Sequence, residues 1–179
     1  MGNNTKLEEF LKIMEYKPEH GFPYYYSLVD DDSLNSLFSS LSTFTLLKSI
    51  DEEKANHSYS SHKWTIKQVV GHITDHERIK MFRAFQLSRK ETIELWGYDQ
   101  NFLVSNARFD ELSMEQLITD FSSVREASMS FIDTLSKKQL KIRGMAREYE
   151  ITIEEFLKSI IGHERHHINI IKEKYLFGN

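Results

Sequence analysis

Residues 152–167 read TIEEFLKSIIGHERHH, and this stretch carries the strongest indication of the fold. Thr152 and Glu155 match a capping box, in which two side chains three residues apart bond each other's backbone N–H groups at the start of a helix. Apolar residues then recur every three or four positions, as on one face of an α-helix. The stretch therefore predicts a helix that starts after Thr152 and continues to about Tyr175.

Three earlier segments of the chain have the same periodicity. Residues 33–48 follow an acidic run that favours a helix N-terminus, since carboxylates there complement the helix dipole. Residues 65–89 begin with threonine, a good N-cap, and residues 113–136 begin with a second capping box, Ser113 with Gln116. Together with the first stretch, they predict four long helices.

Proline usage supports an all-α chain. The sequence has 2 prolines in 179 residues, both before residue 24, where average usage would give about nine. β-sandwiches and β-barrels need many turns, and their sequences usually contain more proline and glycine than this one does. We expect one domain over residues 1–179, a four-helix bundle with residues 1–30 as an N-terminal extension packed on it.

The remaining segments have weaker signals. Residues 7–14 predict a short amphipathic helix, and residues 18–26 predict a turn-and-extended linker whose three tyrosines wrap on the bundle. Residues 51–63 predict a polar loop, and residues 140–149 predict a hairpin-like or irregular connection. We expect Trp64 and Trp96 to be packing anchors.

Composition excludes several classes of protein. The absence of cysteine removes disulfides, thiolate metal sites and a cysteine nucleophile. The 23 basic and 27 acidic residues are interspersed and give a net charge of −4, which is not the footprint of a nucleic-acid-binding protein. The sequence has neither a signal peptide at its start nor a long apolar run that could span a membrane. We therefore expect a cytoplasmic protein.

Histidines are arranged as two pairs on two predicted helices. His72 and His76 are four residues apart, and so are His163 and His167. Residues four apart share a helix face, so that two imidazoles can point at one ion. A lone interior histidine is more often a hydrogen-bonded core residue. Histidines from two helices that face one interior are better explained by a divalent metal.

A glycine precedes each pair in the same local string. Residues 69–72 read VVGH, and residues 160–163 read IIGH. Glycine inside a helix is unfavourable by about 1 kcal/mol relative to alanine, so it usually marks a close approach or a functional site. The repeated string predicts that both helices are constrained next to their histidines.

Residues 163–167 also match the pattern HExxH of zincin metalloproteases, in which the glutamate is the general base. Only 12 residues follow His167, too few for the usual downstream ligand and its supporting helix. The available third histidine, His72, lies upstream instead. We therefore do not expect a protease.

The order of these motifs resembles the DinB-like superfamily, which includes metal-dependent hydrolases and the bacillithiol and mycothiol transferases. The resemblance rests on residues 64–66, 71–77, 98–100 and 162–167 and extends over about residues 33–175. It implies an up-down-down-up four-helix bundle with a divalent metal, often zinc or nickel, held by three histidines at one end.

The resemblance assigns the metal ligands to His72, His163 and His167. His76 has no counterpart in that ligand set and is expected to be a neighbour of the metal or a substitute ligand. His166 should point about 100° away from His167 and is not expected to bind metal.

Three neutral histidines leave a fourth coordination position open, which is the pattern of catalytic zinc. We expect a metal-dependent hydrolase or a low-molecular-weight thiol S-transferase that acts on a small molecule, with Glu164 and Asp99 as candidate proton acceptors. An aspartate in the position of Asp99 is more often a loop or capping residue than a catalytic base. The alternative is a catalytically silent metal-binding or stress-associated bundle protein. With either function, the protein could form a homodimer.

Overall fold

A computed structural model of the chain describes residues 16–91, 97–146 and 149–177. The short helix predicted over residues 7–14 and the packing role predicted for Trp96 lie outside the described residues. Helix makes up 68% of the structure, which confirms the all-α prediction.

Nine α-helices lie in the described ranges, and three of them are long. The helices are α1 (Phe22–Ser27), α2 (Leu34–Phe38), α3 (Ser42–Lys48), α4 (Glu52–Ala55), α5 (Ile66–Ser88), α6 (Gln100–Ser105), α7 (Met114–Asp133), α8 (Lys137–Leu140) and α9 (Ile153–Ile170). Short 3₁₀ turns cover Pro18–His20 and Phe109–Glu111, and a π-helical segment, Ile171–Leu176, continues α9. None of the helices described here has both the length and the apolar character needed to cross a membrane.

Side-chain caps begin the three long helices where the sequence predicts. Thr65, Ser113 and Thr152 each accept a hydrogen bond from the backbone N–H three residues on. Each is also part of a capping box, because the side chain at that third position bonds the backbone N–H of the cap residue. An N-cap of this kind stabilises a helix by about 1 kcal/mol. The predicted starts of these helices are confirmed.

Three predictions for the N-terminal part of the chain are wrong. The polar loop predicted over residues 51–63 contains α4, which Asp51 caps by accepting a hydrogen bond from the Lys54 N–H. The helix predicted over residues 33–48 is split into α2 and α3. Helix α2 ends at Phe38 with Ser39 as its C-cap, and the Ser40 and Ser42 hydroxyls bond each other at the break. Serine favours such local bonds over a continuing helix. The linker predicted over residues 18–26 is instead a 3₁₀ turn followed by α1, because Pro23 lies in the first turn of α1, where proline is compatible with helix.

The connection before α9 is a hairpin, as its sequence suggests. Strand β1 (Arg143–Ala146) pairs antiparallel with β2 (Tyr149–Thr152), with Gly144 opposite Ile151. The end of β2 leads directly into the cap of α9. The hairpin therefore fixes where α9 begins.

The helices form a closed ring of contacts. Helix α9 packs against α5, and α5 packs against α7. Helices α2 and α3 complete the ring, because α2 contacts both α9 and α7 while α3 contacts α7. The fourth member of the bundle is thus the broken α2–α3 segment, and α1 packs on the outside of α9.

A polar layer separates two apolar clusters in the bundle. On α5 the first cluster ends at Ile73 and the second begins at Met81; on α9 the order is reversed, with the boundary between Ile161 and Ile168. His76 and His163 lie within these intervals, together with buried carboxylates. The candidate site therefore occupies a level of the bundle where apolar packing is interrupted.

Candidate metal centre and adjoining cavity

Three histidines from α5 and α9 bring their Nε2 atoms together. The Nε2 of His163 lies 3.1 Å from the Nε2 of His72 and 3.2 Å from the Nε2 of His167. His72 and His163 are buried, and His167 is half-buried. Within the described ranges, these three are the only set of histidine and acidic side chains whose donor atoms converge closely enough for one metal ion.

The spacing of these nitrogens fits a tetrahedral metal site. Zinc binds histidine nitrogen at about 2.0–2.1 Å, which places two ligand nitrogens of a tetrahedron about 3.3 Å apart. Two separations in the cluster are 3.1 and 3.2 Å, and all three donor atoms lie within 4.8 Å of one another. The donor set is therefore close enough together to hold one divalent metal ion. That these residues bind a metal remains a prediction.

Burial keeps the imidazoles neutral, which metal binding requires. It lowers the pKa of His72 to about 4, with a smaller contribution from the charge of His166. The pKa values of His163 and His167 are also well below the ordinary range, chiefly because burial disfavours the charged ring. At neutral pH each ring therefore has one unprotonated nitrogen available to bind a cation.

The glycine before His163 allows α1 to reach the site. A Cβ on Gly162 would lie 1.8 Å from the backbone oxygen of Tyr25, so only glycine lets α1 approach α9 this closely. The Tyr25 ring consequently meets the His163 ring edge-on, with centroids 5.0 Å apart. At Gly71 the equivalent Cβ would meet the ring of Phe109 at 2.4 Å. Both glycines therefore mark close approaches, as the sequence predicts.

His76 is adjacent to the cluster without belonging to it. Its ring stacks on the His163 ring with centroids 3.5 Å apart and 11° between the planes. Its Nδ1 lies 2.7 Å from the Tyr98 hydroxyl. Burial raises the pKa of Tyr98, so this phenol keeps its proton at neutral pH. His76 thus supports one face of His163 and is held in place by Tyr98.

His166 and Trp64 complete the surroundings of the three histidines. The Nδ1 of His166 lies 3.0 Å from the Tyr24 hydroxyl, so His166 contacts α1 and is outside the converging set. The Trp64 ring packs on His72 at 4.9 Å between centroids and lies nearly parallel to the His167 ring at 6.4 Å. Trp64 is therefore a packing residue, and what it packs against is the candidate site itself.

A cavity of about 380 Å³ adjoins the cluster. His163 and His76 form part of its wall, together with Lys80 and Arg83 from the next turns of α5 and Tyr25 from α1. His163 is thus shared between the histidine cluster and the cavity. A larger cavity of about 900 Å³ lies beside α3 and α7, and none of the described residues that line it is a histidine.

Asp99 and Glu164 have different surroundings. Asp99 lines the cavity and caps α6, its Oδ1 accepting the backbone N–H groups of Asn101 and Phe102. Glu164 is buried away from the cavity wall, where its two carboxylate oxygens accept hydrogen bonds from Thr43 and Arg125. The structure brings Asp99, and not Glu164, to the same cavity as His163.

Arg125 forms buried ion pairs in the polar layer between the two apolar clusters. It pairs with Glu164 on α9 and with Glu77 on α5, and its guanidinium lies 5.1 Å from the centroid of the Phe121 ring. Burial by itself lowers the pKa of Arg125, but the two carboxylates outweigh it and the net shift is upward, so the guanidinium stays charged. This buried network joins α5, α7 and α9, and its two carboxylates belong to the residues that directly follow His76 and His163 in the sequence.

Comparison with known proteins identifies the family. A profile described as the DinB superfamily matches residues 42–171, which is more than half of the chain. The chain belongs to the DinB superfamily. The chain is similar to the solved structure of YfiT from Bacillus subtilis. The two are 18% identical in sequence, the match covers 89% of this chain and 88% of YfiT, and the TM-score is 0.66. YfiT is described as a probable metal-dependent hydrolase with an unusual four-helix bundle topology. A search of curated proteins returns no significant match.

Membership of the DinB superfamily and the likeness to YfiT confirm the predicted fold class. Sequence reasoning missed the cavity wall beyond the histidines, namely Lys80 and Arg83. Both continue the face of His76 along α5, one and two turns further on. This helical spacing could have predicted that the two side chains lie on the same side as His76. The contact of Tyr25 with His163 was indicated in the sequence only indirectly, by the glycine at position 162, which marks a close approach of another segment.

Proposed function

We propose that this protein is a metal-dependent enzyme that acts on a small molecule, either as a low-molecular-weight thiol S-transferase or as a hydrolase. The observation that carries the proposal is the position of His163. Its Nε2 belongs to the converging set, while the same side chain lines a cavity of about 380 Å³. A metal at the cluster would therefore be next to a space of the size that holds small ligands.

His72, His163 and His167 would hold the metal, and we propose zinc or nickel. Three neutral imidazoles suit both ions and leave a position for substrate. When bound, such a cation supplies Lewis-acid chemistry, favouring the deprotonated form of a thiol or water at its open position. His76 would keep the His163 ring in orientation by stacking on it, and Tyr98 would fix His76.

Asp99 is the better placed of the two predicted proton acceptors. It lies in the cavity wall, and both of its cap bonds use Oδ1. Glu164, by contrast, has both oxygens engaged in the buried network. In thiol transfer, the thiol sulfur would form a bond to an electrophilic carbon, the leaving group would depart with its electron pair, and Asp99 or solvent would take the thiol proton.

Thiol transfer is favoured over hydrolysis by the engagement of Glu164. Metal-assisted hydrolysis usually relies on a carboxylate base close to the metal, as the glutamate of HExxH proteases illustrates. Here the glutamate in that position, Glu164, is paired with Arg125. A thiol needs less help, since its ordinary pKa of about 8.5 is far below that of water.

The proposal is tested first by metal binding and then by turnover. We expect one zinc or nickel ion per chain by elemental analysis, lost in His163→Ala and retained in His166→Ala. His166 is the matched control, because it is a neighbouring histidine outside the cluster. Metal-loaded protein is then assayed with bacillithiol and an electrophilic acceptor, and separately with esters and amides. If no substrate turns over faster with wild type than with His163→Ala, the protein is the catalytically silent alternative.

A further inference from the structure

The cavity of about 900 Å³ beside α3 and α7 is separate from the candidate metal centre. None of the described residues in its wall also lines the cavity beside His163. Small-molecule sites in proteins have volumes of about 300–1,000 Å³. The larger cavity therefore has the size of a binding site, and the proposed function does not use it.

The break between α2 and α3 forms part of the wall of this cavity. Residues 39–41, which lie between the two helices, all line it. The hydroxyls of Ser40 and Ser42 bond each other at the break, and Leu41 between them is 71% exposed. Leu41 thus lines the cavity from its solvent side.

The inner part of the wall is apolar. Its buried apolar members are Phe38, Phe44, Leu47, Ile50, Met114 and Ile118. Among the described residues of the wall, Leu41 is the only apolar one with high exposure. A protein partner needs about 800 Å² of surface on each side, whereas the apolar groups here line a recess. This arrangement suits a small molecule better than a second protein surface.

Arg125 is the buried charged side chain that the structure describes in this wall, and its charge is already matched. Its guanidinium pairs with the carboxylates of Glu77 and Glu164, so that two anions face one cation. Its Nη1 also donates to the backbone oxygen of Phe38. Arg125 therefore gives the inner part of the cavity no net positive charge that would hold an anion.

The exposed part of the wall has charges of both signs. Lys48 is accompanied by Glu115 and Glu126, and all three residues are exposed. The two carboxylates disfavour an anionic ligand, while solvent and salt weaken their attraction for a cationic one. A charged group would also lose its hydration on entering the apolar inner part, where Arg125 is the described ionic group and is already paired. The cavity therefore favours an uncharged ligand.

We infer that the cavity between the α2–α3 break and α7 binds an uncharged apolar small molecule. The ligand lies against Phe44 and Ile118 in the inner wall and contacts Leu41 on the solvent side. Its apolar surface leaves water on binding, which provides the driving force. This site goes beyond the proposed function, because it shares no described residue with the histidine cluster or its cavity.

A matched pair of fluorescent probes tests the class of ligand. N-phenyl-1-naphthylamine is uncharged and becomes brighter in apolar surroundings, and 1-anilinonaphthalene-8-sulfonate has the same rings with an added sulfonate. Fluorescence titration of the full chain should show one site for the uncharged probe. The sulfonate should bind at least about tenfold more weakly, because it adds a negative charge that the wall does not match.

Variants that fill the cavity test where the probe binds. Thr119 and Ser122 lie in the wall on α7 and are not part of the apolar core. Thr119→Trp and Ser122→Phe should each weaken binding of the uncharged probe at least about tenfold, because the new ring occupies its space. Ser130→Trp is the matched control, since Ser130 is an exposed residue of α7 outside the described wall. It should change the affinity by less than about twofold, and so should His163→Ala, which alters the other cavity.

Far-UV circular dichroism of each variant separates a filled cavity from a failure to fold, and the two filling variants serve as independent checks on each other. The inference would be overturned if wild type binds no uncharged probe, binds the sulfonate equally well, or keeps its affinity in both folded filling variants. Loss of probe binding in His163→Ala would place the probe beside the histidines and also overturn it. A wild-type dimer in sedimentation velocity that binds no probe and is dissociated by both filling variants would instead make this surface an interface between two copies. None of these outcomes alters the test of metal binding and turnover.

Discussion

Substituting alanine for each of the two helix glycines provides a direct test of how α1 is held at the site. Gly71 and Gly162 each follow two β-branched apolar residues and precede a histidine, and both lie inside long helices. Alanine improves helix propensity by about 1 kcal/mol at either position. The obstacle to the new methyl group differs, since it is a side-chain ring at Gly71 and the backbone oxygen of Tyr25 at Gly162.

The size of the difference follows from the distances. At position 162 the methyl carbon would be 1.8 Å from the Tyr25 oxygen, whereas ordinary contact begins at 3.4 Å. Helix α1 must therefore move by about 1.5 Å, because its backbone cannot turn aside as a ring can. That shift breaks the bond between Tyr24 and His166 and weakens the contact of Tyr25 with His163, each worth about 1 kcal/mol.

Gly162→Ala should consequently lower the free energy of unfolding by about 2 kcal/mol, once lost packing of α1 is added and the propensity gain subtracted. For a chain of this length, that corresponds to a melting temperature lower by about 4–8 °C. Gly71→Ala should be less destabilising than Gly162→Ala, since the half-buried Phe109 side chain, whose Cγ would lie 2.5 Å from the methyl, can swing away about its Cα–Cβ bond and a backbone oxygen cannot. Urea unfolding of the metal-free proteins, followed by far-UV circular dichroism, measures both. If Gly162→Ala is as stable as Gly71→Ala, the close approach of α1 is refuted.

Three further outcomes are expected. Replacing Arg125 with methionine should destabilise the protein by about 3–5 kcal/mol in chemical denaturation, because it leaves the carboxylates of Glu77 and Glu164 buried without their cation; a loss below about 1 kcal/mol would contradict this. The metal-free protein should lose stability as the pH falls from about 6.5 towards 4, because burial lowers the pKa of His72 to about 4 from an ordinary 6.5. This one group accounts for about 3 kcal/mol of the free energy of unfolding. Melting temperatures that do not change over this pH range would contradict the prediction. His72→Ala should abolish zinc binding, and His76→Ala should weaken it by less than about tenfold; equal losses in a zinc titration would make His76 a fourth ligand.

Local sequence was sufficient to locate the long helices and the histidines on them. The caps at Thr65, Ser113 and Thr152 act on backbone groups within three residues, so their effect is visible without knowledge of the fold. The i, i+4 spacing of His163 and His167 likewise fixes their common face on one helix. The break between α2 and α3 was missed because serines within a periodic stretch are compatible with either outcome.

The tertiary structure alone decided which groups from different helices meet. The approach of His72 to His163, the pairing of Arg125 with Glu164 and the cavity wall at Lys80 all join residues far apart in sequence. Each depends on how α5, α7 and α9 pack in three dimensions, and periodicity along one helix does not specify distances to another. The sequence by itself therefore determined the helical segments and the residue types available for metal binding. Packing determined that one imidazole, His163, belongs to both the histidine cluster and the cavity, because only the assembled bundle places that ring between them.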